Sequence, residues 1–579
     1  MDDYFDLGSY SRAVTTTSPQ AQRWFDRGLV WTYGFNHEEG ARCFERAAEA
    51  DPACAMAQWG IAYALGPNYN KPWEFFDEED LRTTVQRTHA AIRRAEALAA
   101  GATPVEQALV AALRHRYPLG SGTEPTIWNE EYAAAMGRAY AAYPDDHDVA
   151  TLYADALMMF TPWELWDLRT GEPRPGSRAP EAAKVLDRVL ETPAGRDHPG
   201  ALHFYVHLWE MSPTPERALR VADRLRDLVP DAGHLQHMPT HLDVLCGDYR
   251  AVIASNQAAV RADERFLAAR GPLNFYTLYR AHNLHFLVYG AMFSGQSQVA
   301  MEAVEAIEAT IPEELLRVGS PPMADWLEGF LSVRVHALIR FGRWEEILQI
   351  TEPADPELYA TTVATRHYGR GVALSALERI EEAEAERELF GAAQAAVPDS
   401  RTIFNNTCRD ILAVASAMLD GELEYRRGEH EAAYASLRRA IELDDTLPYD
   451  EPWGWMQPTR HAYGALLLEQ GHVEEALAVY RADLGYDDTL PRALQHPGNV
   501  WALHGFHECL TRLGREDEAA IVSGRLAVAK AVADVPVVAS CLCRLSAVRG
   551  EPHDLPEVDL PEAGMPEVAA EAPEDGCCH

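Results

Sequence analysis

Strand-like alternation of apolar and polar residues is nearly absent from this chain; its pattern is helical. Alanine is abundant, and Gly and Pro fall at regular intervals. The stretch FNHEEGARCFERAAEADP (Phe35–Pro52) has small residues where two helices would cross. It also carries an aromatic for the pair contact and a closing proline. The pattern returns at Gly247-Asp248-Tyr249, Gly342-Arg343-Trp344, Gly428-Glu429-His430, Gly471-His472-Val473 and Gly514-Arg515-Glu516. Each Gly is predicted to end one helix, and the residues after it to start an antiparallel partner.

These motifs resemble the tetratricopeptide repeat (TPR) family over most of Ala21 to about Val535, with a period of about 34 residues. The resemblance implies an all-α fold: an α-solenoid, a right-handed superhelix of antiparallel helix pairs. It says little of function, because repeat arrays host many activities. With the turn Gly at position 15 and a small residue at position 20, ten repeats can be placed. They begin at Ala21, Ala55, Pro199, Gly233, Ala281, Glu328, Ala364, Val414, Gln457 and Val500. The expected organisation is a lead-in over 1–20 and repeats over 21–198, with an overlong loop at 162–180. His-rich repeats over 199–350 and further repeats over 351–535 follow. Residues 536–579 read as an acidic, Pro-rich tail that ends in Cys577-Cys578-His579. The helices within 67–198 do not phase with the rest.

The resemblance further implies that positions 2, 5, 9 and 12 of each repeat face a concave groove; their spacing puts them on one helical face. At 22 His in 579 residues, forty such positions should hold about 1.5 His by chance, yet they hold ten. The ten are His203, His207, His234, His237, His241, His282, His285, His336, His461 and His504. No Lys or Arg is among the forty, and the acids are Glu210, Glu422 and Glu508. Seven of the histidines fall in three consecutive repeats, as H-x3-H-x2-E, H-x2-H-x3-H and H-x2-H. Neutral imidazole binds Zn, Cu, Fe or Ni, and two His one turn apart can share an ion. Seven convergent imidazoles exceed what one ion needs, so two ions fit the pattern. A lone buried His is ordinarily satisfied by a neighbour, but seven facing one another would repel when protonated. Pro239 should kink its helix and re-aim His237 and His241. The run GHLQHMPTHLDVLCGDY (Gly233–Tyr249) resembles a His-rich branch of TPR proteins to which no activity is attached.

Charge narrows the partners. A net charge of −38 excludes general nucleic-acid binding and disfavours anionic membranes. No apolar run approaches a bilayer span, and MDDYFDLGSY lacks a signal pattern, so a cytoplasmic protein is expected. No HExxH, Walker loop, helix-opening GxGxxG or GxSxG is present. Cys541-x-Cys543 and the terminal Cys577-Cys578-His579 offer soft-metal ligands. The loops Asn68–Trp73 and Trp163/Trp166 either line the groove mouth or plug the superhelix.

The expected function is a TPR-fold metalloprotein with a multi-histidine centre, Cu or Fe favoured and Zn possible. It would be a metal-dependent oxidoreductase on a small organic or peptide substrate in the groove, with Glu210, the nearest acid, as a catalytic general base or a ligand. The alternatives are a protein-interaction scaffold without catalysis, or metal storage and delivery through the Cys-Cys-His tail.

Overall fold

A computed structural model describes residues 4–117 and 125–548. Helices follow one another in antiparallel pairs, beginning with Pro19–Tyr33 against His37–Ala50. The last described pair is Val500–Arg512 against Glu516–Lys530. Among the described residues the only strands are Thr402–Ile403 and Asn406–Thr407, a two-rung hairpin. The chain is an all-α solenoid. Two pairs lie in the stretch that resisted phasing: Pro104–Leu113 with Pro125–Ala142, and His147–Met158 with Ala179–Leu190. No helix among the described residues is long and apolar enough to cross a membrane.

Local chemistry sets the pair boundaries. Gly247, Gly428, Gly471 and Gly514 take the left-handed conformation that ends a helix, which costs glycine little. Asn36, Asp146, Asp248 and Asn499 cap the helices that follow them through their side-chain oxygens. Pro239 divides one first helix into Gly233–His237 and Thr240–Cys246.

The array curls until distant repeats meet. Arg270 makes a two-pronged ion pair with Glu39, at 2.6 and 2.7 Å. Trp501 donates its indole N–H to the carbonyl of Met292 at 2.6 Å. Asp534 accepts from the backbone N–H groups of Ser297 and Gln298, which start another repeat's second helix. The first helices of the His-rich repeats therefore face a closed interior, not an open groove. Pro199–Glu210 is buried at every position, as is all of Thr277–Ser294 except Leu278.

The closure gives a stability test. Gly247 and Gly471 share the left-handed conformation, φ 79° and 82°. A Cβ on Gly471 would meet nothing within 4 Å, whereas one on Gly247 would lie 2.3 Å from the Pro497 carbonyl oxygen. In denaturant melts Gly471→Ala should cost about 1–2 kcal/mol, and Gly247→Ala clearly more. Equal costs would contradict this packing of residues 247 and 497.

Candidate metal centre

Six of the ten groove histidines form two triads. The helix Pro199–Glu210 supplies His203 and His207, one turn apart, and Gly233–His237 adds His234. The second triad joins His237 to His241, across the Pro239 break, and to His282 from Thr277–Ser294. Within each triad the three donor atoms lie within 4.8 Å of one another, and every member is buried. Each triad can hold a metal ion, with the rings moving inward to the 2.0–2.1 Å typical of Zn–N bonds. The triads abut: the His207 and His241 ring centres are 5.7 Å apart, and those of His234 and His237 5.8 Å.

The outer ring nitrogens are held in the way that orients metal ligands. His203 Nδ1 lies 2.6 Å from the Tyr33 carbonyl oxygen and must donate to it. Its Nε2 then carries a lone pair, and that atom is buried without a hydrogen-bond partner. His207 Nδ1 donates to Glu210 Oε1 at 2.9 Å, and His207 Nε2 is likewise unpartnered. Neither ring nitrogen of His234 has a partner. In the second triad Asn256 is oriented by its own N–H bond to the Val252 carbonyl. Its Oδ1 therefore faces His237 Nδ1, at 2.7 Å, and fixes the proton there. His241 Nδ1 donates to Glu210 Oε2 at 2.8 Å. The Nε2 atoms of His237 and His241 are thus brought 2.7 Å apart, with donor and acceptor roles set by the His241 tautomer. Only a proton or a cation between them makes that contact attractive.

The same protein shows how a structural histidine is satisfied. His198 accepts from the Ala201 N–H on one side and meets Tyr10 and Asp148 on the other. His461 accepts from Arg340 at Nδ1 and donates to Asp483 at Nε2, both at 3.0 Å. His461 therefore lies apart from the centre with both nitrogens engaged. His285 and His336 form a neighbouring buried set, packed on Phe330 and Trp455 and each with an unpartnered Nδ1, but neither joins a triad. His504 lies in the helix Val500–Arg512, also outside the triads.

Glu210 braces both triads, one oxygen to each. A second carboxylate, Glu451, reaches the same place from the loop between Asp444 and Thr459 and contacts His241 Nδ1. Burial, then the nearness of Glu451, pushes the Glu210 carboxyl well above its ordinary range. Burial lifts Glu451 to about 8. The pair holds a shared proton at neutral pH. Burial drives the imidazoles the other way, to about 3 in His203 and about 4 in His237, so the rings are neutral.

Sequence reasoning missed several neighbours. Glu451, Tyr449 and Asn256 lie outside the groove register. The one signal was the overlong acidic, Trp-rich linker that carries Tyr449 and Glu451. Three aromatic residues pack on the histidines; Trp163 was expected at the groove mouth or as a plug, whereas Phe35 and Phe404 were missed. Phe35 stacks on His207 and His234 and lies 4.4 Å from the His203 ring. Trp163 meets His207 edge-on, and Phe404 meets His282. All three have positive φ, 57°, 62° and 47°. Each takes a place where Gly is usual. Phe35 stands at the left-handed position of a Schellman motif, with bonds from Phe35 N–H to Thr32 O and from Asn36 N–H to Trp31 O. Trp163 follows Pro162 at the third position of a turn closed by Glu164 N–H to Thr161 O. Phe404 leads the two-residue hairpin loop.

Other expectations are corrected. Cys541 and Cys543 are joined in a disulfide and offer no thiolate. The groove histidines are packed, so removing one disturbs a core as well as a site. The Cys577-Cys578-His579 end lies outside the described residues. Tyr69, from the 68–73 loop, lies 4.8 Å from the His207 ring, and its hydroxyl accepts the Trp163 N–H, so this loop plugs the interior.

No family model matches the chain, and no curated protein matches it. Solved structures that resemble it include a crystal structure of the APC/C hetero-tetramer Cut9–Hcn1. The identity is 13%, over 82% of this chain and 74% of that one, with a TM-score of 0.30. Another is the structure of Naa15/Naa10 bound to HypK-THB, at 14% identity over 88% and 70%, with a TM-score of 0.20. The fold assignment rests on the helix pairs themselves. Fold and site together define a helical-repeat protein with a buried multi-histidine interior.

The depressed imidazoles predict acid sensitivity. Their folded pKa values lie below the unfolded value of about 6.5, so the unfolded chain protonates first as pH falls. Stability from these groups is full above about pH 6.5 and is lost toward about pH 4. Glu210, Glu451, Asp243, Asp263, Asp444 and Asp450, with raised pKa values, oppose this, but the lowered imidazoles of the two triads together with His285 and His336 outnumber them. Melting of metal-free protein should fall steadily from about pH 7 to about pH 5; a flat profile would contradict the burial of neutral imidazole.

Proposed function

We propose that this chain is a helical-repeat metalloprotein whose interior binds two transition-metal ions, one in each histidine triad. The observation that carries the reading is the set of inward imidazole nitrogens: His203 Nε2, His207 Nε2 and both nitrogens of His234 have no partner, and the His237 and His241 Nε2 atoms face each other at 2.7 Å. An unmet buried polar group costs about 1–3 kcal/mol, and several of them converging on one another are hard to account for without a cation between them. The all-imidazole donor sets suit Cu or Zn, with Fe next.

The residues divide the work. Glu210 orients His207 and His241 at once and so links the two triads. Glu451 and Glu210 hold one proton beside the rings. Phe35, Phe286 and Tyr69 exclude water from the ring faces. Bound ions would supply redox or Lewis-acid chemistry, which is the ground for a metal-dependent oxidoreductase acting on a small organic or peptide substrate. The second reading is an interaction scaffold, favoured by the helical-repeat fold itself. Because the interior is filled, such a scaffold would use its outer surface.

Elemental analysis after loading with Cu2+ or Zn2+ should find about two ions per chain, about one in His234→Ala, and none in the His234→Ala/His241→Ala double variant. Native-like circular dichroism of the variants shows that the loss lies in the site. Wild-type protein that retains no ion leaves the scaffold. Tight binding with no oxygen consumption leaves storage.

A further inference from the structure

Beside the histidine interior lies an open cleft of about 770 Å³. Its volume falls within the range of small-molecule sites. Six aromatic residues contribute to its wall: Phe75, Phe160, Trp163, Trp166, Phe404 and Tyr449. Three of them are also the inner shell of the histidine centre. Trp163 touches His207 of the first triad, and Phe404 touches His282 of the second, at ring-centre distances of 5.9 and 4.9 Å. Tyr449 donates its hydroxyl to Glu451, which contacts His241. The partition between cleft and imidazoles is thus one side chain thick, and it borders both triads.

The backbone of that partition breaks local rules. Trp163 and Phe404 occupy turn positions that favour Gly, with φ of 62° and 47°, a conformation costly for an L side chain. Trp163 is further fixed by its own N–H bond to Tyr69 at 3.0 Å. Strain of this kind persists where surrounding structure enforces it, and here it presents one ring edge to a histidine while the residue still lines the cleft.

We propose that this cleft is the binding site for a planar aromatic small molecule, held by ring stacking against Trp166, Phe160 and the Trp163–Phe404 partition next to the histidine triads. The assignment deepens the metalloprotein reading by naming its substrate class, and it rests on that reading only for the neighbouring ions. Aromatic pairs add about a threefold to tenfold preference beyond area burial, so a flat ring is favoured over an aliphatic one of equal size.

The test is fluorine NMR with 5-fluoroindole on the full chain, first stripped of metal and then loaded with paramagnetic Co2+. Stripped wild-type protein should bind the probe saturably, and a fluorinated cyclohexanol at least threefold more weakly. Trp166→Ala and Phe160→Ala should each weaken the probe threefold to tenfold, with Trp166→Phe restoring it. In Co2+-loaded protein the bound signal should broaden strongly, because relaxation by the ion falls steeply with distance. Absence of saturable binding, equal binding of the aliphatic probe, or indifference to both alanine variants would overturn the cleft. Co2+ binding without broadening would overturn its adjacency to the centre. Failure of the protein to bind Co2+, Cu2+ and Zn2+ alike would overturn the metal reading alone and leave the cleft to the stripped-protein titration.

Discussion

Burial of imidazole lone pairs that point at one another is the constraint on which the rest of this structure depends. His203, His207 and His234 have inward nitrogens with no hydrogen-bond partner, and the Nε2 atoms of His237 and His241 stand 2.7 Å apart. Water is excluded from these atoms, and the burial of each keeps the ring neutral. A fold tolerates such a concentration of unmet acceptors only if the remaining contacts over-determine it or if a cation meets them. The outer nitrogens show the direction of the design. A backbone carbonyl, an oriented amide and one carboxylate serving two triads are the supports expected of metal ligands.

The solenoid makes that arrangement possible. A single helix brings two histidines one turn apart, as His203 and His207 are. Bringing in His234, His241 and His282 takes neighbouring first helices set side by side, and the break at Pro239 turns His237 and His241 toward each other. Curling then closes the interior. Glu39–Arg270 and Trp501–Met292 tie repeats far apart in sequence, and the 444–459 linker crosses to deliver Glu451. The aromatic plug of Phe35, Tyr69 and Trp163 seals the first triad at the expense of backbone strain.

Much of this was legible in the sequence, and what was not has identifiable causes. The fold followed from Gly and Ala spacing, because a turn that needs a left-handed residue every repeat leaves a visible period. The histidine clusters followed from the same register, since it predicts which face of each helix turns inward. The register could not predict closure. It placed the histidines in an open groove, whereas contacts between repeats far apart in sequence bury them. It also counted His461 among the ligand positions, outside the main cluster, and the engagement of that ring by Arg340 and Asp483 depends on long-range packing. Glu451, Tyr449, Phe404 and Trp163 lie in loops, where helical periodicity carries no information. The Trp163 and Phe404 turns hid themselves further, because an aromatic stands where a turn normally advertises Gly.

Anomalous difference maps from crystals loaded with Cu2+ or Zn2+ address the central claim directly. Two peaks are predicted, one about 2.1 Å from the inward nitrogens of His203, His207 and His234, the other at the same distance from His237, His241 and His282. Peaks confined to surface carboxylates, or an interior without anomalous density, would contradict it.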